Sequence, residues 1–278
     1  MTKTAILFPG QGSQTPEMRD LVAEERPDLL ELVTEIVGED PFAKAEEGTN
    51  YAQPAIFCAS LAGWESLGRP DGDYMAGHSL GELGALVAAG ALKERDGLEL
   101  VALRGRLMQD SGEKAGDGGM LALLGKGAAD HAAELADAHG LAVANDNSPQ
   151  QVVLSGERAA LPDAAAAAKE LGLRSVDLPV AGAFHSPMMQ GAVPEFEKAV
   201  KAVEISQPRV KVVSAVTAEP FDDIAMQLTQ ALTKPVRWRE TLLALHELGA
   251  ERFVEVGPGR VLSGLVKRTL TDVELVGA

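Results

Sequence analysis

The sequence predicts an α/β protein in which a parallel-sheet core domain, residues 1–115 and 184–278, is interrupted by a ferredoxin-like βαββαβ small domain over 116–183. Three observations carry this reading. Short apolar runs alternate with helix-forming segments through the outer parts of the chain, the order that packs helices on a parallel sheet. The turn G-x-S-x-G at Gly77, His78, Ser79, Leu80 and Gly81 lies between the apolar run 74–76 and a helix-forming stretch, the strand-turn-helix setting this motif needs. In mid-chain, six short segments follow the order strand, helix, strand, strand, helix, strand.

Taken in order, residues 4–8 read as a buried strand entering the loop 9–14, where Gly10 and Gly12 leave the backbone N–H of Gln11 open to a ligand. A dinucleotide fingerprint would need glycine at Thr15, so that reading is weak. Helices are predicted over 17–36 and 54–67, ahead of strand 74–76. The turn that follows puts the Ser79 hydroxyl at a helix N-terminus, on a strained backbone, where free N–H groups favour negative charge. Read alone, the motif is equally a Gly-rich turn with a capping serine. Helical periodicity over 96–111 places Leu100, Leu103, Leu107 and Met108 on one arc. Arg104 falls inside that arc, whereas Arg106 lies on the polar side with Glu99, Gln109 and Asp110. A guanidinium on a core-facing stripe is costly unless paired, so Arg104 either meets an internal carboxylate or waits for a ligand's.

Glycine and charge over 112–119 mark the start of the insert. Its predicted elements are strand 120–124, helix 128–139, strands 141–145 and 151–155, helix 157–171 and strand 174–178. Asn145, ending its strand, and Asn147 flank the central turn N-D-N-S-P, where asparagine suits the backbone. His185 then stands just past the insert, where a hinge between domains would form a cleft. Helix 193–203, strand 210–213, helix 240–248, strand 252–256, the turn G-P-G at 257–259 and a last helix ending at Thr269 complete the chain.

Composition excludes several functions. A net charge of −16 argues against generic nucleic-acid binding, and any anionic substrate must meet locally placed positive charge. The single cysteine, Cys58, excludes an internal disulfide and a multi-cysteine metal site, and its apolar neighbours make it a packing residue. No apolar segment approaches the length of a membrane span, and residues 1–8 are too short for a signal region, so a cytoplasmic protein with no membrane partner is expected. Among the histidines, His131 and His139 lie on a polar helix and His246 on another, with no zinc-binding pair, and no metal is expected. His78 adjoins Ser79 along a strand, where neighbouring side chains point to opposite faces. His185 remains as the candidate base. A hydrolase triad would place its histidine near the C-terminus after an acidic residue, so a dyad oriented by a backbone carbonyl fits better.

With Ser79, Arg104 and His185 in hand, the chain resembles the malonyl-CoA:acyl carrier protein transacylases of bacterial fatty acid synthesis. The resemblance rests on F-P-G-Q-G-S-Q (8–14), A-G-H-S-L-G-E (76–82), R-G-R-L-M-Q (104–109), N-S-P-Q-Q-V-V (147–153), G-A-F-H (182–185), P-V-R-W (235–238) and E-V-G-P-G (255–259). It implies a hydrolase-like core, a nucleophile at Ser79 and a base at His185. It implies that Arg104 grips the malonyl carboxylate, that the N–H groups of Gln11 and Leu80 form an oxyanion hole, and that Phe184 selects malonyl over branched acyl groups. In that family a glutamine four residues before the proline of P-V-R-W orients the histidine through its carbonyl. Here Ala231 takes that place and Gln230 precedes it. Malonyl-CoA, CoA and acyl carrier protein are the implied partners, with no cofactor and a monomeric chain, and the three key side chains are expected to face one cavity. An acidic carrier would dock on a local basic patch, either Arg260, Lys267 and Arg268 or Lys198 and Lys201. Rival readings are a serine thioesterase or esterase, a non-catalytic acyl- or carrier-binding module, and the acyltransferase component of a malonate decarboxylase or polyketide synthase.

Overall fold

Strand β1 (Lys3–Phe8) sets the layering in the computed structural model, which describes residues 2–276 apart from Asp71. Ile6 and Phe8 join the core on one face of the sheet and Ala5 and Leu7 the core on the other, all with no solvent exposure. A strand apolar on both faces needs helices on both sides. Helices α1 (Met18–Glu25), α2 (Pro27–Val37) and α3 (Thr49–Ser66) lead to β2 (Tyr74–Gly77), and α4 (Gly81–Ala88) and α5 (Glu94–Ala115) follow it. Where the pattern predicts one helix over 17–36, two form. Pro27 lacks the N–H a continuing helix would use, and Arg26 turns out of helical geometry (φ −143°, ψ 62°) while its guanidinium binds Asp28 and Glu94. Helix α3 begins at Thr49 rather than 54 and keeps Pro54 inside it, because burial from Ala52 to Trp64 outweighs one lost hydrogen bond.

The second sheet comprises β3 (Gly118–Leu124), β4 (Ala142–Ser148), β5 (Gln151–Glu157) and β6 (Arg174–Asp177), joined through α6 (Ala128–Ala138) and α7 (Leu161–Glu170). It is antiparallel throughout, in the order β4-β5-β3-β6. Leu121, Leu123, Val152 and Leu154 face α6 and α7, while Met120, Ala122, Ala144 and Val153 join the main core. Asn145 lies in β4 as expected, and Asn147 lies in the same strand and not beside a turn. Two register shifts in the β4–β5 ladder carry the strand on to Ser148 and leave the connection to Pro149 and Gln150.

The chain returns through α8 (Val193–Val200), β7 (Lys211–Val213), α9 (Ile224–Gln230), α10 (Trp238–Glu247), β8 (Ala250–Glu255), α11 (Val261–Thr269) and β9 (Glu274–Val276). Helix α9 and strand β9 were not foreseen. The first is a short helix whose N-cap, Asp223, accepts from the Met226 N–H at 2.9 Å, and the second is a three-residue edge strand. The parallel sheet runs β7-β2-β1-β8-β9. A seam joins β4 to the segment that leads into α10: Val236 N–H donates to Ala144 O (2.8 Å), Asp146 N–H to Val236 O (2.9 Å), and Arg239 pairs with Asp146 (2.7 Å).

Candidate active site

The site is built on the turn between β2 and α4. His78 N–H donates to Phe8 O (2.9 Å) and Gly81 N–H to His78 O (3.0 Å), which forces Ser79 to φ 55°. Glycine is required on both sides of this turn: a Cβ on Gly77 would sit 1.9 Å from the Gly81 carbonyl carbon, and one on Gly81 would sit 2.2 Å from Phe8 O. The turn leaves Ser79 Oγ 2.9 Å from His185 Nε2 and 3.0 Å from Arg104 Nη2. Residues from the turn before α4, from α5 and from the segment after β6 therefore meet at one hydroxyl.

His185 is buried at φ 56°, and its Nδ1 lies 2.7 Å from Ala231 O, just past α9. The carbonyl can only accept, so Nδ1 carries the proton and the Nε2 lone pair faces the Ser79 hydroxyl. Burial, then the charge of Arg104, lowers the imidazole to about 3, so it is neutral near pH 7. The orienting carbonyl is thus that of Ala231 and not of Gln230. The changed side chain is immaterial to a backbone acceptor.

Arg104 is 3% exposed, and its Nη1 donates to Gln53 Oε1 at 2.9 Å. Burial lowers its guanidinium to about 10, against the attraction of Glu82, so it stays charged at neutrality. Among the described residues no carboxylate comes within the 4.0 Å of an ion pair with it. The neighbouring Arg106 on the solvent side pairs with Glu195 and Asp110.

A cavity of about 380 Å³ opens over this group, with Gln11, Ser79, Leu80, Phe184 and His185 in its walls. Met120, Ala122 and Val153 from the inner face of the small sheet close the other side. Arg104 does not itself wall the cavity. It lies behind Ser79 and Gln53, which do, because its donors are turned onto those two side chains. The Gln11 side chain is held away by a short hydrogen bond from Thr49 Oγ1, and among the described residues the N–H groups of Gln11 and Leu80 donate to no protein acceptor. Two free N–H groups beside a serine hydroxyl can receive a developing oxyanion.

Sequence reasoning passed over three participants. Gln53 lay outside the predicted helix, although a glutamine and Thr49 ahead of an apolar run are a usable sign of an internal polar network. The sequence pattern sets Asn147 beside a turn, for backbone reasons, yet its Oδ1 lies 2.8 Å from His78 Nε2. Glu82 is 1% exposed inside the G-H-S-L-G-E motif. His78 packs edge-on against Trp238 and makes no bond with Ser79. Cys58 is buried, with its thiol pushed upward by desolvation, and no group of metal-ligating side chains occurs among the described residues. No helix among them is long and apolar enough to cross a membrane.

A strained serine, a neutral imidazole on a carbonyl and two free N–H groups on an α/β fold are an arrangement that can support acyl transfer. The profile described as acyl transferase domain matches residues 29–277, and the chain belongs to that family. Within it the chain groups with the malonyl CoA-acyl carrier protein transacylases. It is 35% identical to the malonyl CoA-acyl carrier protein transacylase of Haemophilus influenzae, covering 99% of this chain and 95% of that protein. It is 40% identical to the polyketide biosynthesis protein ThaF of Burkholderia thailandensis over 96% of this chain, but spans 24% of ThaF. A solved complex of a type II polyketide acyl-carrier protein with its malonyl-transacylase matches with a TM-score of 0.88 and 32% identity, over 99% of this chain and 95% of that one.

The depressed imidazole has a consequence for stability. The unfolded chain takes up this proton below about pH 6.5, whereas the folded one resists until about pH 3, so stability is lost as pH falls between these values. In urea titrations His185→Gln is expected to lose less stability than the native protein between these pH values, by about 1 kcal/mol per pH unit.

Proposed function

We propose that the chain transfers a malonyl group from malonyl-CoA to the phosphopantetheine thiol of an acyl carrier protein by a ping-pong route in the cytoplasm. The observation that carries this reading is one serine hydroxyl shared between a neutral imidazole and a buried guanidinium that, among the described residues, no carboxylate touches. His185 Nε2 takes the Ser79 proton as Oγ attacks the thioester carbon, and the N–H groups of Gln11 and Leu80 hold the oxyanion. Collapse expels CoA as its thiol, protonated from the imidazolium, and leaves a malonyl-serine ester. The carrier's thiol then gives its proton to His185 and attacks that ester, and the proton returns to Ser79 Oγ.

Arg104 serves the distal carboxylate. Its two Nη groups exchange Ser79 and Gln53 for a pair of parallel charge-assisted bonds, geometry that lysine cannot reproduce. Phe184 beside His185 narrows the cavity against an α-branch. The small sheet, as an inserted domain over 116–183, excludes water from the ester. For docking, the cations of α11 are favoured over the alternative on α8, because Lys201 is engaged by Glu197 while Val261, Leu262 and Leu265 of α11 line the cavity beside Arg260.

Intact-mass analysis after mixing with malonyl-CoA should show the native protein heavier by one malonyl group and Ser79→Ala unchanged. A labelled Ser79→Ala, or free malonate released as fast as carrier is loaded, would replace this reading with binding or hydrolysis. Arg104→Ala should lose roughly 2–4 kcal/mol of transition-state stabilisation for malonyl and little for acetyl, read as the ratio of their kcat/KM values. Combined reversal of Arg260, Lys267 and Arg268 to glutamate should raise KM for the carrier and leave that for malonyl-CoA alone.

A further inference from the structure

Glu82 has no part in the steps above, yet it lies in the first turn of α4, three residues from Ser79, at 1% exposure. Its N–H donates to the Ser79 carbonyl (3.1 Å), and its Oε1 accepts from the Ala215 N–H (2.8 Å) and the Ser214 hydroxyl (3.1 Å). The Ala215 carbonyl in turn accepts from the Arg237 N–H at 2.7 Å. One side chain thus fastens the helix behind Ser79 to the segment that follows edge strand β7. A glutamine could make both of these contacts, so the tether alone does not account for a buried charge.

Arg104 accounts for it. The two groups act on each other through space, while no ion pair within 4.0 Å joins them. The guanidinium is balanced without being occupied. Resting on the malonyl-transfer reading, we propose that Glu82 is a positioning residue for carboxylate-bearing acyl groups: it holds the counter-charge of Arg104 out of contact and is neutralised by a solvent proton when the acyl carboxylate arrives.

Burial pushes the Glu82 carboxyl up to about 7, against the pull of Ala215, Ser214 and Arg104, so this proton is exchanged near neutrality. Charged and titratable side chains on the surrounding elements include Arg104 on α5, His78 after β2, His185 before α8, Arg209 with its guanidinium on Ala88 O, Lys211 on β7 and Arg237 ahead of α10. Arg104 is the one whose charge acts on Glu82, and burial holds both histidines toward the neutral form. A second carboxylate at Arg104 repels ionised Glu82 and drives its pKa further up. By reciprocity, protonated Glu82 binds that carboxylate more tightly. Malonyl loading should therefore weaken as pH rises through about 7, and acetyl loading, which brings no carboxylate, should not.

The test compares kcat/KM for Ser79 acylation by malonyl-CoA and acetyl-CoA at several pH values. In the native protein the malonyl-to-acetyl ratio should fall about threefold to tenfold between about pH 6 and about pH 8. In Glu82→Gln, which keeps the acceptor oxygen, the ratio should be flat. Should that variant not fold, Ser214→Ala removes a hydrogen bond from the carboxylate and should move the fall to higher pH. A flat ratio in the native protein, the same fall in Glu82→Gln, or an unmoved fall in Ser214→Ala overturns the role of Glu82. Failure of native Ser79 to become acylated overturns the malonyl-transfer reading itself.

Discussion

A guanidinium sealed inside the protein, with no carboxylate in contact among the described residues, is the constraint around which the site is arranged. Removing a charge from water costs several kcal/mol, and the usual remedy is a touching counter-ion. Arg104 instead has Gln53, the Ser79 hydroxyl and the distant charge of Glu82. Each of these offsets part of the cost, and the two neutral acceptors can be exchanged for a ligand without leaving a second buried charge behind. The same polar thread continues from Gln53 through Thr49 to the Gln11 side chain, so the loop after β1 and the guanidinium are positioned by one network.

Backbone strain marks both members of the hydrogen-bonded pair. Ser79 and His185 both lie at positive φ without being glycine or asparagine, a conformation that persists when neighbours over-determine it. For Ser79 the neighbours are Phe8 O and the tight approach at Gly77 and Gly81. For His185 they are the Ala231 carbonyl on one side and the Ser186 hydroxyl, bonded to Ala183 O at 2.6 Å, on the other. Relaxing either residue would separate an oxygen and a nitrogen now 2.9 Å apart.

Much of this was legible in the residues. The turn at Ser79, the misplaced arginine at position 104 and the βαββαβ rhythm are local signals, each set by a few neighbouring side chains. The boundary errors have a common cause, since tertiary burial outweighs propensity in α3 and a bulged ladder extends β4 through a sequence that looks like a turn. Glu82 and Asn147 escaped notice for a different reason. Their partners, Ala215 and His78, are 133 and 69 residues away, and no periodicity along the chain reports such a contact.

The segment from Ala231 to Arg239 does two jobs at once. Its first residue supplies the carbonyl that fixes the imidazole, and its last ones pair with β4 through Val236 and Arg239. Strand β4 also carries Asn147, which meets His78 beside Ser79. The wall of the cavity and the two members of the hydroxyl-imidazole pair therefore share supports. The contacts that hold β4 against the segment before α10 thus adjoin those of both the residue before the serine and the carbonyl that orients the histidine.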